Sequence, residues 1–229
     1  MNIKILQGFD GAVQAEGLAV IIDVFRAFSF ACYAANNGAE KIYPIDKISL
    51  VDELYEKLPN SIRCGERHER KVEHFDFGNS PTHIEHENFK GKTILHSTSS
   101  GTQGVYLSRN ATEKITGSFV NAQAVVEYIK QKQPETVSLC CMGYEGTAEA
   151  DEDTLFAIYI KNELEGRENH FDKMVEKLRL GSGKRLFDPL KQSFSPKRDF
   201  ELCLSLNRFS FVLKAQEDEF GYYLERIDI

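Results

Sequence analysis

An unbroken apolar run, Leu18–Ile22, leads directly to an acid at Asp23 and a base at Arg26. Such a run is typical of a strand buried on both faces, as in a parallel sheet. The residues after Arg26 favour a helix, because small and apolar side chains recur on one side and Gly38 can end it. Asp23 and Arg26 are therefore predicted to lie at the carboxyl end of a strand and the amino end of a helix, where α/β folds bind ligands.

Short apolar runs alternate with helical patterns along the rest of the chain. Further strands are predicted at residues 2–6, 41–45, 61–64, 92–96, 114–116 and 136–141. Helices are predicted at 49–58, up to about 109, after 121, from about 151, at 171–180 and, as a short piece, at 199–206. Residues 209–213 and 222–227 are expected to form a closing pair of strands. This alternation indicates an α/β fold with a largely parallel or mixed β-sheet flanked by helices. We expect one domain over residues 1–229. An arrangement of this domain as two lobes, with the site between them, is left open.

The composition limits the partners of the chain. Asp and Glu number 35 against 28 Lys and Arg, a formal net charge of −7, which argues against a nucleic-acid partner. No apolar run approaches the roughly 20 residues of a membrane span, and no signal-peptide pattern is expected at the N-terminus. The five cysteines form no C-x-x-C pair, which favours reduced thiols and a cytoplasmic location.

Polar loops follow four of the predicted strands. They comprise residues 23–26, 65–67 with 78–81, 98–102 and 145–153, and the long stretch 65–81 is expected to be a functional loop. If the strands are parallel, these loops converge on one edge of the sheet. Their carboxylates suit Mg²⁺, their arginines suit phosphate or sulfonate, and their hydroxyl groups and glycine amides suit further anionic oxygens. The combination predicts metal-assisted chemistry on a small phosphorylated molecule.

Each of these features also has a structural interpretation. Asp23 and Arg26 can pair with each other, and acids at the start of a helix are favourable without any ligand, although helical spacing can turn Asp153 inward. The turn at 98–102 fits an N-cap, and Asn121 is a good cap residue.

Two other patterns are compared with known phosphate sites. Cys64–Arg70 has the C-x₅-R spacing of cysteine-dependent phosphatases, but Glu66 and Glu69 would repel both a thiolate and a phosphate, so it remains a minor alternative. Gly181–Lys184 is similar to part of a P-loop, but its spacing and the following Arg185 do not fit that motif, and it is rejected.

Six segments carry a family resemblance. They are Asp23-Val24-Phe25-Arg26-Ala27, Gly65-Glu66-Arg67, Phe75-Asp76-Phe77-Gly78-Asn79-Ser80-Pro81, Ser97-Thr98-Ser99-Ser100-Gly101-Thr102, Gly117-Ser118-Phe119-Val120-Asn121 and Glu152-Asp153. In order and sequence they resemble the 2-phosphosulfolactate phosphatases, the ComB-like proteins of coenzyme M biosynthesis. The resemblance spans about residues 18–160, and the Gly-Glu-Arg and Asn-Ser-Pro steps are its most specific parts.

The chain departs from the family pattern at three places. Phe28 stands where Thr or Ser is usual, Ser100 replaces Asn, and Ala157-Ile158 replaces Ala-Gly. Ser29, one position on, can replace the missing hydroxyl group. Because Phe28 and Ser100 bear on the ligand rim, the departures concern the exact substrate more than the fold.

The resemblance implies a Mg²⁺-dependent phosphatase that converts 2-phosphosulfolactate, or a closely related small phosphorylated acid, to sulfolactate and phosphate. Asp23, Glu66 and Asp153 would coordinate Mg²⁺ directly or through water, and Arg26 and Arg67 would hold the phosphate and sulfonate. Asp23, Arg26, Glu66 and Arg67 are thereby assigned to catalysis. The residues assigned to substrate binding are Asn79, Ser80, Thr98, Ser100, Gly101, Thr102 and Asn121. The alternative is a non-catalytic protein that binds a small phosphorylated or sulfonated acid, and a homodimer is left open.

Overall fold

The computed structural model describes residues 1–229. The strands are β1 (Asn2–Gln7), β2 (Gly17–Ile22), β3 (Lys41–Pro44), β4 (Ser61–Arg67), β5 (Arg70–Lys71), β6 (Thr93–Ser97), β7 (Ala111–Gly117), β8 (Thr136–Cys141), β9 (Phe211–Asp218) and β10 (Gly221–Asp228). The helices are α1 (Gly8–Val13), α2 (Ala27–Asn36), α3 (Ile48–Lys57), α4 (Pro81–Ile84), α5 (Gly101–Leu107), α6 (Ala122–Lys132), α7 (Asp151–Glu165), α8 (Phe171–Leu180) and α9 (Arg198–Cys203). Short 3₁₀ segments span Phe119–Asn121, Ser182–Phe187 and Pro189–Lys191.

The ten strands form a mixed sheet that contains two groups of parallel strands. The strand order is β1-β8-β2-β7-β9-β10-β3-β6-β4-β5. Strands β1, β8, β2 and β7 pair in parallel, and so do β3, β6 and β4. The hairpin β9–β10 lies between the two groups and pairs antiparallel with β7 and with β3. The predicted α/β fold with a mixed sheet is confirmed.

The two parallel groups run in opposite directions, because three antiparallel pairings separate them. The argument that one parallel sheet would bring all four loops to one edge therefore holds only within each group. The predicted closing pair of strands exists, but it lies in the middle of the sheet and joins its halves.

Strand β2 is buried on both faces, as its apolar run predicts. Leu18, Val20 and Ile22 belong to one hydrophobic cluster, which also contains side chains of α6 and α7. Ala19 and Ile21 belong to a second cluster, which contains side chains of α2 and α5. Because successive side chains of a strand point to opposite faces, this one strand contributes to both layers of the core.

One helix was missed and one local prediction is wrong. Helix α1 was not expected, since its six residues are too few to show a helical period. Residues 65–81 are not one long loop, because β4 continues to Arg67, turns into β5, and α4 begins at Pro81.

No helix is both long and apolar enough to cross a membrane. The assignment of the whole chain to one domain and the homodimer stay predictions.

Gly65 lies where β4 approaches β6 too closely for a side chain. Its φ is +148°, and a Cβ atom there would lie 2.0 Å from the carbonyl oxygen of Ser97. We expect Gly65→Ala to lower the free energy of unfolding by about 2–4 kcal/mol through steric overlap and strain, measured by urea denaturation. Gly166→Ala is the control, because Gly166 also has a positive φ but no atom within 4 Å of that Cβ, and about 1 kcal/mol is expected there. Equal losses in the two variants would contradict this explanation.

Candidate active site

A cavity of about 50 Å³ lies where loops of the two strand groups meet. Fourteen residues line it, and only two of them are hydrophobic. Its charged side chains are Asp23, Glu66, Glu69, Glu145, Glu152, Asp153, Arg26 and Arg185. Six acids against two arginines leave a formal excess of negative charge, so the cavity attracts cations and an anionic ligand needs a cation beside it.

Asp23 occupies the end of β2, and main-chain amides hold both of its carboxylate oxygens. Ala27 N donates to Oδ1 and Gly101 N donates to Oδ2, each at 3.0 Å. Burial raises the pKa of this carboxyl to about 6, the Ala27 amide opposes the rise, and the charges of Glu66 and Glu152 add to it. Asp23 is therefore held in one orientation among other acids.

Asp153 lies in the first turn of α7 and faces the same cavity. Val24 N donates to its Oδ1 and Gly143 N to its Oδ2, each at 2.8 Å. These bonds tie the start of α7 to the loops that follow β2 and β8. Burial raises the pKa of Asp153 well above its usual range, and the neighbouring charges of Asp23 and Glu152 raise it further.

Glu66, near the end of β4, brings the second strand group to the cavity. Its Oε1 accepts a hydrogen bond from Ser99 N at 2.7 Å, and its Oε2 accepts one from Glu69 N at 2.7 Å. The Ser99 hydroxyl group donates a longer bond of 3.3 Å to Oε2. The Glu66 carboxylate is thus fixed between its own turn and the turn after β6.

The chemistry of this donor set fits a hydrated Mg²⁺ ion. No three His, Cys, Asp or Glu side chains are arranged to hold a metal ion by themselves. However, Oε2 of Glu152 is buried without any hydrogen-bond partner, and each carboxylate oxygen of Asp23 and Asp153 accepts one amide bond and keeps a second lone pair. Mg²⁺ prefers oxygen ligands, keeps several waters and commonly takes only one or two carboxylates. The residues therefore fit Mg²⁺ that retains water, and they do not form a closed metal cage.

Arg26 lines the cavity, and buried groups hold it in place. Its Nη1 donates to Phe194 O and to Asp199 Oδ2, both at 2.8 Å, and its Nη2 donates to Glu69 O at 3.2 Å. The side chains of Arg26 and Asp199 are 4% and 0% exposed. Asp199 thus fixes one of the two arginines of the cavity.

Comparison with known proteins decides the family. The family model described as 2-phosphosulpholactate phosphatase matches residues 5–218. A relative from Caldanaerobacter subterraneus subsp. tengcongensis, named probable 2-phosphosulfolactate phosphatase, is 31% identical over 214 residues, 88% of each chain. A relative of the same name from Thermotoga petrophila is 33% identical over 207 residues, 85% of this chain and 87% of the other.

The chain belongs to the 2-phosphosulpholactate phosphatase family. The resemblance read from the six sequence segments is confirmed, and the family is one of phosphoric monoester hydrolases. Five of the six segments supply residues that line the cavity, including both of the most specific ones. Of the residues predicted for the site, those that line the cavity are Asp23, Arg26, Glu66, Asn79, Ser100 and Asp153. Gly101 contributes its amide to Asp23 instead of lining the cavity.

The structure does not bring Arg67 of the family's Gly-Glu-Arg segment to the cavity. Its Nη1 donates to Glu66 O at 2.6 Å, and its Nη2 donates to Ser97 Oγ at 2.9 Å and to Asp46 O at 3.2 Å. This guanidinium group joins the ends of β4 and β6. It therefore supports Glu66 through the main chain, whereas the prediction had it hold an anion.

Four other predicted ligands are also placed outside the cavity lining. Ser80 Oγ donates to Asp199 Oδ1 at 2.7 Å. Thr102 Oγ1 accepts from Thr98 N at 3.1 Å and donates to Ile45 O, so these two threonines shape the turn. The Asn121 side chain accepts from Ser118 N at 3.1 Å, as in the cap interpretation.

Sequence reasoning missed four charged residues of the cavity, one of which is Glu145, interpreted as a solvated acid of its loop. Glu152 was interpreted as a solvated acid, yet its side chain is 2% exposed. Glu69 appeared only as an argument against the cysteine motif, and Arg185 only as a mismatch to the P-loop. Helical spacing at the start of α7 could have indicated Glu152, but no local pattern marks Arg185, which lies 160 residues after its contact Phe25.

The cysteine alternative finds no support in the structure. Cys64 is fully buried in β4 and does not line the cavity. Burial raises the pKa of its thiol well above the usual range, and the charge of Asp76 raises it further, whereas a nucleophilic cysteine needs a lowered pKa.

Asp199 is expected to be important for stability because it holds Arg26 inside the protein. Its Oδ1 also accepts hydrogen bonds from Ser80 and Thr82. We expect Asp199→Ala to lower the free energy of unfolding by about 3–5 kcal/mol, since the Arg26 guanidinium would stay buried without its partner. Urea denaturation measures this loss. Glu201→Ala, at an exposed position of the same helix, is the control and should change it by about 0.5 kcal/mol or less.

Proposed function

We propose that this protein is a Mg²⁺-dependent phosphatase that hydrolyses 2-phosphosulfolactate, or a closely related small phosphorylated acid, to sulfolactate and phosphate, as in coenzyme M biosynthesis. Family membership supports the reaction class. The observation that carries the proposal is the buried acidic cavity, whose carboxylates are fixed by main-chain amides and accompanied by only two arginines. Such a site can take a polyanionic substrate only together with a cation.

The acids and the arginines of the cavity have different proposed roles. Asp23, Glu66 and Asp153, joined by Glu152, would hold Mg²⁺ directly or through water. When bound, Mg²⁺ supplies positive charge to the oxygens of the transferring phosphoryl group. Arg26, oriented by Asp199, binds an anionic group of the substrate. The amide bonds keep the carboxylates in place during the reaction, so that little reorganisation is needed.

Three smaller side chains complete the proposed site. Asn79, Ser99 and Ser100 line the cavity beside the charged groups. The Ser100 hydroxyl group donates to the carbonyls of Met142 and Gly143, both at 2.9 Å, so its oxygen remains available to accept a hydrogen bond. The small size of the serines leaves the space near Asp23 to the ligand.

We also propose a cytoplasmic location, which the cysteines support. All five are free and buried. Free thiols are usual for proteins of a reducing compartment.

The first experiment measures phosphate release from 2-phosphosulfolactate by the purified protein, with Mg²⁺ and with excess EDTA. Release is expected with Mg²⁺ and at least about 100-fold less of it with EDTA, because the acidic cavity would then repel the substrate. Release that survives EDTA would contradict the metal dependence. Absence of release under both conditions, for this ester and a panel of small phosphoesters, would favour the non-catalytic binding protein.

Asp23→Asn tests the metal assignment with a second readout. The amide keeps an oxygen for one of the two main-chain bonds, so the variant should fold, but we expect a loss of turnover of about 100-fold or more. Mg²⁺ should raise the melting temperature of the wild type by mass action and should raise that of Asp23→Asn less. Asp10→Asn, at an exposed position, should behave like the wild type. Wild-type turnover by Asp23→Asn would refute the role of Asp23.

A further inference from the structure

Arg185 enters the cavity from outside the family segments that supply its acids. It lies in the 3₁₀ segment Ser182–Phe187, after α8. Its Nη1 donates to Glu69 Oε1 at 2.5 Å, and its Nη2 donates to Glu152 Oε1 at 3.0 Å and to Phe25 O at 3.1 Å. The Arg185 side chain is 24% exposed, whereas Glu69 and Glu152 are 9% and 2% exposed. One guanidinium group thus pairs with two nearly buried acids while it keeps an exposed side.

A simple structural interpretation explains only part of this arrangement. Lys191 also pairs with Glu69, at 2.6 Å, so the segment that carries both cations is fastened to Glu69 twice. Lys191 is outside the cavity lining, and fastening the segment requires nothing more. The contact of Arg185 with Glu152, deep among the candidate metal ligands, is not needed for that purpose.

Arg185 lines the cavity beside the acids, where the space is small. The volume of about 50 Å³ holds only a few water molecules. This space is open to solvent on one side, and the partly exposed Arg185 side chain is part of its wall. When it leaves Glu152, the Oε1 atom joins Oε2 as a free acceptor, so that the whole carboxylate becomes available.

Arg185 and Arg26 differ in what holds them. Arg26 is fixed by Asp199 and by two main-chain carbonyls, so its position is set by the fold. The ionic partners of Arg185 are themselves acids of the cavity. Its charge also reaches Asp23, where it opposes the rise in the pKa of that carboxyl. Arg185 is therefore the arginine that can exchange partners beside the candidate metal ligands.

We propose that Arg185 is a substrate-binding residue that exchanges its ion pair with Glu152 for the transferring phosphoryl group when the substrate binds. This inference rests on the proposed function. A guanidinium group that meets the phosphoryl oxygens can donate two parallel hydrogen bonds and neutralise charge that grows in the transition state. In the same step Glu152 loses its ion pair with Arg185, which then binds the substrate.

Kinetics of Arg185→Gln and Arg185→Lys on 2-phosphosulfolactate with saturating Mg²⁺ test the proposal. For Arg185→Gln we expect kcat/KM to fall about 10²- to 10³-fold, mostly in kcat, because the interaction strengthens in the transition state. Arg185→Lys should recover part of the loss, since it keeps the charge without the planar fork. Lys184→Gln is the matched control, because it removes the same charge from the exposed neighbouring position. Lys191→Gln loosens the segment alone and should stay within a few-fold of the wild type.

Two kinetic outcomes would overturn the proposal. Arg185→Gln could stay within about threefold of the wild type in kcat/KM, which would remove any role in the transition state. Lys191→Gln could lose as much kcat/KM as Arg185→Gln. The role of Arg185 would then be only to hold its segment in place.

A binding measurement separates this proposal from the proposed function. If the wild type hydrolyses no phosphoester, the proposed function fails, and calorimetric binding of inorganic phosphate with Mg²⁺ present tests Arg185 alone. We expect Arg185→Gln to bind phosphate about tenfold or more weakly than Lys184→Gln, because a charge-assisted bidentate contact is lost. Equal affinities of the two variants, or no phosphate binding by the wild type, would refute the role of Arg185.

Discussion

The hydrogen bond from Gly101 N to Asp23 Oδ2 joins the two halves of the sheet at the cavity. Asp23 follows β2 in the first parallel group, whereas Gly101 begins α5 directly after β6 in the second. The halves run in opposite directions, so sheet geometry alone does not align these ends. The bond from Gly101 N to Asp23 does so. From the same turn, Ser99 N fixes Glu66 within the second group. The acids that the proposed chemistry needs are therefore also the acceptors that assemble their own site.

Gathering these acids has a cost that the rest of the cavity only partly offsets. Burial and mutual repulsion raise the pKa values of Asp23 and Asp153, which means that their charged forms are destabilised. Burial lowers the pKa of the partly exposed Arg185, and the charges of Glu152 and Glu69 more than offset this effect. A chain selected for stability alone would not collect six acids in one cavity. The proposed function explains the excess of negative charge, because a bound cation would relieve it.

The sequence predicted those parts of the fold that depend on residues close together in the chain. Apolar runs such as Leu18–Ile22 mark buried strands, and the starts of α3, α6 and α7 follow from helical periodicity. The central position of the β9–β10 hairpin has no such signal, because it depends on pairings between residues far apart, such as Leu224 with Ile42. Three carboxylates of the cavity, those of Asp23, Glu66 and Asp153, could be found because they stand at strand ends and a helix start, where ligand-binding acids are expected.

Arg26 was found in the same way, but Arg67 and Arg185 could not be assigned correctly, because tertiary placement decides what a guanidinium group binds. Arg67 sits in the most specific family segment, yet its donors are taken by carbonyls and a hydroxyl group between β4 and β6. Arg185 sits in an irregular segment, yet it reaches the cavity. Asp199, which holds Arg26, is 173 residues away from it in the chain. The N-terminal part thus supplies the acids of the site, and the C-terminal part supplies Arg185 and the partner of Arg26. Neither part holds the complete proposed site, so the phosphorylated acid of the proposed function could be accepted only when the two parts pack together.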